Sequence, residues 1–183
     1  GDVYKRQPER TYSAPSRIPS EYVRSGGLGE VKEIHAWTNR PVWPQAPGIV
    51  SRPTEVMDVP DHIDWDSFIG PAPMRPYHSC YTPFKWRGWW DYGTGALGDV
   101  GCHLIDIPFR TLGLKYPTDA ESSVGSVYTK MWNADYHPEG CPASSFTTLH
   151  FAETKKSKSP IEMTWNDGGI RPAHPEIIPA DSD

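Results

Sequence analysis

The spacing of apolar residues changes along the chain, and each change marks an element. Over residues 17–25, Ile18, Tyr22 and Val23 fall at helical spacing. Gly26 and Gly27 follow, which predicts a short helix stopped by glycine. Residues 30–39 then alternate between polar and apolar or β-branched positions, the period of a strand. A Pro-rich stretch runs on to about Arg75, with room for one helical turn over 64–68. Beyond the aromatic residues 86–92, the Gly93-Thr94-Gly95 turn leads into a helical pattern from Ala96 to about Leu112. Thr94 is placed to cap this helix and Gly113 to end it. Pro108 lies inside the pattern and removes the donor for the Leu104 carbonyl, so a kink or break is expected there. Residues 120–129, 145–151 and 160–165 read as extended, separated by short turns.

Strand, long loop, helix and then strands with short connections predict an α+β fold with an open, mainly antiparallel sheet. The chain closes on Pro-rich residues 171–179 with no element of their own, and no internal repeat is visible.

The composition narrows the class. The 20 prolines crowd into residues 41–83 and 172–179, where the missing amide proton favours loop or extended chain. Those regions also carry Trp, Tyr and Phe, so ordered loops packed on a scaffold are expected rather than disorder. A net charge of −5 argues against a nucleic-acid partner. The lysines 155, 156 and 158 read as a solvated turn. Three cysteines, without a C-x-x-C pair, read as reduced structural thiols. No apolar run is long enough for a membrane span, and the compartment is left open between cytoplasm and periplasm. Residues 1–12 are set aside as a non-native or leftover tail.

The chemistry concentrates in residues 93–106, Gly-Thr-Gly-Ala-Leu-Gly-Asp-Val-Gly-Cys-His-Leu-Ile-Asp. On one helix Asp99, His103 and Asp106 share a face at i, i+4 and i+7, with Leu97, Val100, Leu104 and Ile107 on the core side. Gly95, Gly98 and Gly101 each cost such a helix about 1 kcal/mol relative to Ala. Their presence implies that something approaches the backbone closely. A His one turn from a carboxylate suits proton transfer near neutral pH. The competing reading is a surface Asp–His pair whose members satisfy each other. Metal ligation is set aside for want of a second ligand cluster. Upstream, Lys85, Arg87, Trp90 and Tyr92 combine flat apolar faces with hydrogen-bond donors, the two kinds of surface that a sugar presents. The alternative is that these Trp side chains fill core beneath the long loop.

Residues 93–106 resemble the Asp-x-Gly-x-His-x-x-Asp signature of the Gfo/Idh/MocA oxidoreductases. Residues 29–41, 64–73 and 165–169 also resemble that family, in its order, so the likeness covers roughly residues 20 to 175. It implies that residues 13–183 are an incomplete C-terminal domain, with an N-terminal Rossmann domain for NAD or NADP missing. The implied reaction moves hydride from a sugar, cyclitol or polyol. His103 would be the general base, Asp99 would hold the substrate and His103, and Lys85, Arg87, Trp90, Tyr92 and Asp106 would lie near the substrate. The family also implies a homo-oligomer formed through the sheet face. No G-x-G-x-x-G follows a strand, and no Glu-Lys-Pro motif occurs, so this chain alone is expected to be inactive and to bind no cofactor tightly. Two alternatives stand beside the dehydrogenase. One is an NAD-dependent glycosidase of the same superfamily, and the other a non-catalytic sugar-binding or oligomerisation module.

Overall fold

A computed structural model describes residues 14–41, 51–135, 138–176 and 179. The set-aside tail and part of the Pro-rich stretch lie outside the described residues. The first helix, α1, spans Ala14–Arg24, and β1 spans Glu33–Trp37. The helical turn expected at 64–68 forms as α2, Trp65–Ile69. Asp64 caps it, accepting from the Ser67 amide at 3.1 Å and from its hydroxyl at 2.7 Å. These bonds hold the Asp64 carboxyl below its ordinary range, the backbone bond contributing most.

The long helix is broken as Pro108 requires. α3 spans Gly95–Leu104 and α4 spans Asp106–Leu112, with Ile105 as the joint between them. Gly113 ends α4 in the left-handed conformation, at φ 63°. The strands β2 (Asp119–Val124), β5 (Ser145–Phe151) and β6 (Ile161–Asn166) follow, with β3 (Val127–Lys130) and β4 (Asn133–Asp135) forming a separate hairpin. β4 carries no apolar alternation, and for that reason its sequence does not announce it.

The main sheet has the order β1-β6-β5-β2, antiparallel except that β1 runs parallel to β6. An α+β architecture with an open sheet is therefore what the sequence folds into. Period-two alternation sends Ile161, Met163 and Trp165 of β6 to one face, where all three are fully buried. Phe151, Leu112 and Leu114 close over the first two, with Val23 of α1 and Ile34 of β1 at the margin. Trp165 instead packs against Ala36 and Ala96, with Val100 and Ile105 beside it. α1 is tied to α4 by the Ser20 and Thr111 hydroxyls at 2.8 Å and by Arg24 donating to the Arg110 carbonyl at 3.2 Å.

This packing corrects the expected core stripe of α3. Ala96 and Gly101 are buried, whereas Leu97 and Leu104 are 39% and 38% exposed. The indole of Trp165 fills the space between sheet and helix, where Ala96, Val100 and Ile105 meet it.

On the opposite face Thr164 and Asn166 are buried, while a row of charged groups at the start of β6 reaches solvent. Asp119, His150 and Glu162 lie side by side across β2, β5 and β6. The His150 ring bonds to the Asp119 carboxylate and reaches Glu162 at 3.5 Å. Asp119 and then Glu162 raise the His150 pKa, and His150 with Thr118 lowers that of Asp119. The imidazolium therefore stabilises the fold below its ordinary 6.5, and that contribution is lost as pH rises through the raised value. The Asp119 contribution is present above its ordinary 3.8 and is lost as pH falls through the lowered value. The stability difference between wild type and His150→Gln should be greatest near pH 5 and should fade by about pH 9 in thermal melts. A difference that does not change with pH would remove this pair from the balance.

Candidate functional site

The site is built on a turn that a second segment straps down. Lys85–Gly88 form a 3₁₀ turn, after which the Tyr92 and Gly93 amides both return to the Trp89 carbonyl, at 2.9 and 2.8 Å. Trp89 bridges to Gly140, and the Cys141 amide donates to the Gly88 carbonyl at 2.7 Å. Beneath the turn lies an aromatic core of Trp65, Tyr77, Tyr81 and Trp89. The Trp65 indole donates to the Arg75 carbonyl at 2.7 Å, so this core also fixes the end of the Pro-rich stretch. Asp91 sits between two guanidiniums, with Arg52 at 2.6 Å and Arg75 at 3.1 Å. Arg52 also pairs with Glu139 and lies over the Trp89 ring.

From this turn Arg87 reaches the helix. Its Nε donates to Asp99 Oδ1 at 2.8 Å, and both side chains are about three-quarters buried. The guanidinium carbon lies 4.4 Å from the Phe84 ring centroid and 4.5 Å from that of Trp86, while Nη1 donates to the Phe84 carbonyl at 3.0 Å. Asp99 is thereby held at one oxygen, and its Oδ2 accepts no hydrogen bond among the described residues. His103, one turn on, is exposed and makes no hydrogen bond or ion pair among the described residues. The mutually satisfied Asp–His pair does not form: Asp99 pairs with Arg87, and His103 with none of the described residues.

Asp99 and His103 line a cleft of about 520 Å³ together with Trp86, Arg87, Tyr92, Thr94 and Cys102. Its size suits a small molecule, and its lining combines flat apolar rings with a few convergent polar groups. It can hold a hydroxylated ligand against Trp86, with a carboxylate and an imidazole on the same side.

Residues 46–124 match the C-terminal alpha/beta domain of an oxidoreductase family, Gfo/Idh/MocA. The match covers 79 of the 183 residues. The cleft lies wholly inside the matched residues. No curated protein matches the chain.

Within and around the matched segment the residues singled out in the sequence separate. Asp99, His103, Arg87 and Tyr92 come together in the cleft. Lys85 is exposed on the 3₁₀ turn and Trp90 is 51% exposed, and neither lines the cleft. Asp106 does not line the cleft: it lines a neighbouring groove with Leu97 and Phe109 and lies 3.9 Å from Arg110, one turn on in α4. The three adjacent Trp side chains divide their work: Trp86 lines the cleft, Trp89 is core, and Trp90 faces solvent. Trp86, Thr94 and Cys102 are cleft residues that no sequence signal singles out. Thr94 stands at the position of a helix cap, but it makes no side-chain cap bond.

The glycines are explained by the chain's own side chains. A Cβ on Gly98 would stand 1.6 Å from Thr94 Oγ1, so the Thr94 side chain lies over a bare backbone. Gly95 opens α3 at φ 65°, and a Cβ there would stand 2.8 Å from the Cβ of buried Cys141. Burial pushes the Cys141 thiol up to about 12, so it stays protonated and acts as packing. Gly95→Ala should lower stability by about 1–3 kcal/mol, from the left-handed backbone and the clash together. Urea denaturation measures it, and an unchanged midpoint would show that the turn relaxes freely.

Proposed function

We propose that this chain is the substrate side of an NAD(P)-dependent oxidoreductase acting on a sugar, cyclitol or related polyol by hydride transfer. The observation that carries the reading is the shared cleft of Asp99 and His103, with Asp99 clamped by Arg87 and His103 left unbonded. An imidazole with no protein partner is available to a ligand, and a substrate hydroxyl is the group whose proton it would take. The Asp99 oxygen that Arg87 leaves open would accept from a neighbouring hydroxyl and so orient the ring. Trp86 would supply the flat face against which the C–H side of a sugar packs. The match of residues 46–124 to the C-terminal domain of an oxidoreductase family supports the reaction class.

The glycine-rich segments among the described residues lack the strand–loop–helix order of a dinucleotide site: Gly93, Gly95 and Gly98 have its spacing and open α3, but a 3₁₀ turn rather than a strand precedes them. Gly26 and Gly29, at φ 83° and 72°, sit in the turn between α1 and β1. Helix precedes the glycines and strand follows them, the reverse of the strand–glycine loop–helix order that cradles a dinucleotide. In the proposed enzyme other residues hold the nucleotide, while Asp99, His103 and Trp86 act on the substrate alone.

In the intact enzyme His103→Ala should lower kcat at least about tenfold while leaving cofactor affinity unchanged. Steady-state kinetics and a cofactor titration on the same preparation check both halves. Equal turnover in wild type and variant would take His103 out of the reaction.

A further inference from the structure

Thr94 stands at the N-cap of α3, where a threonine hydroxyl ordinarily accepts from an amide of the first turn. Here the side chain makes no cap bond, and its hydroxyl bonds to none of the described residues. It is exposed on the wall of the cleft and open to a ligand there.

The hydroxyl is nonetheless held in one place. Thr94, Gly98 and Cys102 fall at i, i+4 and i+8, a stripe that runs beside the stripe of Asp99 and His103. All five residues line the cleft. Gly98 interrupts its stripe with a bare backbone, and Thr94 Oγ1 takes the space that a Cβ would need, 1.6 Å from that position. The Gly98 amide also returns to the Thr94 carbonyl at 3.4 Å. Glycine is a poor helix former beside alanine, and what it preserves at this point is room for one hydroxyl. Two ordinary sources of helix stability, a capping bond and an alanine, are thus absent at the same spot on the cleft wall.

We propose that Thr94 is a substrate-binding residue, whose hydroxyl hydrogen-bonds one hydroxyl of a polyol while others meet Asp99 and His103. Gly98 is the positioning residue that keeps Oγ1 in the cleft. The proposal rests on the sugar reading of the cleft and narrows it to substrates with several hydroxyls on one ring. Asp99 can only accept, whereas the Thr94 hydroxyl both donates and accepts, so the two complement each other along a row of hydroxyls. Oγ1 lies at Gly98, and from Gly98 to His103 the helix rises about 7.5 Å, the scale of one six-membered ring with its hydroxyls.

The test titrates the 183-residue chain with glucose, galactose and myo-inositol by NMR and continues with the tightest-binding probe. Thr94→Val keeps the shape and removes the hydroxyl. It should weaken that probe about fivefold, the scale of one neutral hydrogen bond. The thermal midpoint should not move, since no cap is lost. Thr94→Ser keeps the hydroxyl and should bind within about twofold of wild type. Gly98→Ala puts a methyl where Oγ1 lies and should cost a factor similar to Thr94→Val. In a Thr94→Ala background the same change should cost less than about twofold. Asp99→Asn is the control for the cleft and should weaken binding throughout. Unchanged affinity in Thr94→Val, with Asp99→Asn still weakening the probe, overturns the role of Thr94 and leaves the cleft reading standing. A midpoint that falls in Thr94→Val and returns in Thr94→Ser marks a capping hydroxyl and overturns the proposal as well. Equal weakening by Gly98→Ala in both backgrounds overturns the positioning role of Gly98. No binding by any probe, or binding that Asp99→Asn leaves untouched, overturns the cleft reading and the role of Thr94 with it.

Discussion

Trp165 lies fully buried near the end of β6, paired in register with Ala36 of β1 and covered by Ala96 of α3. Its indole N–H donates to Asp167 at 2.9 Å, and the same carboxylate accepts from the Ser145 backbone and, at 2.7 Å, from its hydroxyl. One side chain therefore joins three strands and the helix that carries Asp99 and His103. An indole of this size buries on the order of 150–250 Å². At about 25 cal/mol per Å² that is several kcal/mol, a large share of the net stability of a typical domain. Ala96, Val100 and Ile105 meet the indole from the helix side, while Leu97 and Leu104 turn outward. The direction in which Asp99 points follows from where Trp165 sits.

A second constraint fixes the other wall. The aromatic core of Trp65, Tyr77, Tyr81 and Trp89 holds a chain segment with little regular structure, and the arginines 52 and 75 fasten it to Asp91. Proline-rich chain cannot supply the amide ladders that order a sheet, so rings and guanidiniums do the ordering instead. Arg87 then links the two walls through Asp99. Because this pair is largely shielded and Arg87 is also held between two rings, it is a more rigid link than a surface ion pair. The cleft is the gap between a helix seated on Trp165 and a turn seated on Trp89.

Much of this is legible in residue patterns. The alternation in 145–151 and 160–165 matches β5 and β6 closely, because buried strands must obey period two. Asp64 and Gly113 announce their helix ends through local chemistry. The break near Leu104 follows from Pro108, whereas the groove that Asp106 lines depends on the fold around it. The core face of α3 departs from its hydrophobic pattern because hydrophobicity favours Leu97 and Leu104, while Ala96 and Val100 are the residues that meet the neighbouring indole. Within residues 85–92, which ring faces the cleft and which the core depends on a 3₁₀ turn and on a strap about fifty residues away. No local pattern encodes that.

The central claim is that His103 is left unbonded in order to meet a substrate hydroxyl beside Asp99. The most direct measurement is a proton–carbon NMR titration of the assigned His103 ring with sugars and inositol. The account predicts saturable shifts at the His103 ring carbons, with an apparent pKa that moves on binding and an effect that disappears in Asp99→Asn. Saturable binding that shifts other histidines and leaves His103 unmoved would contradict it.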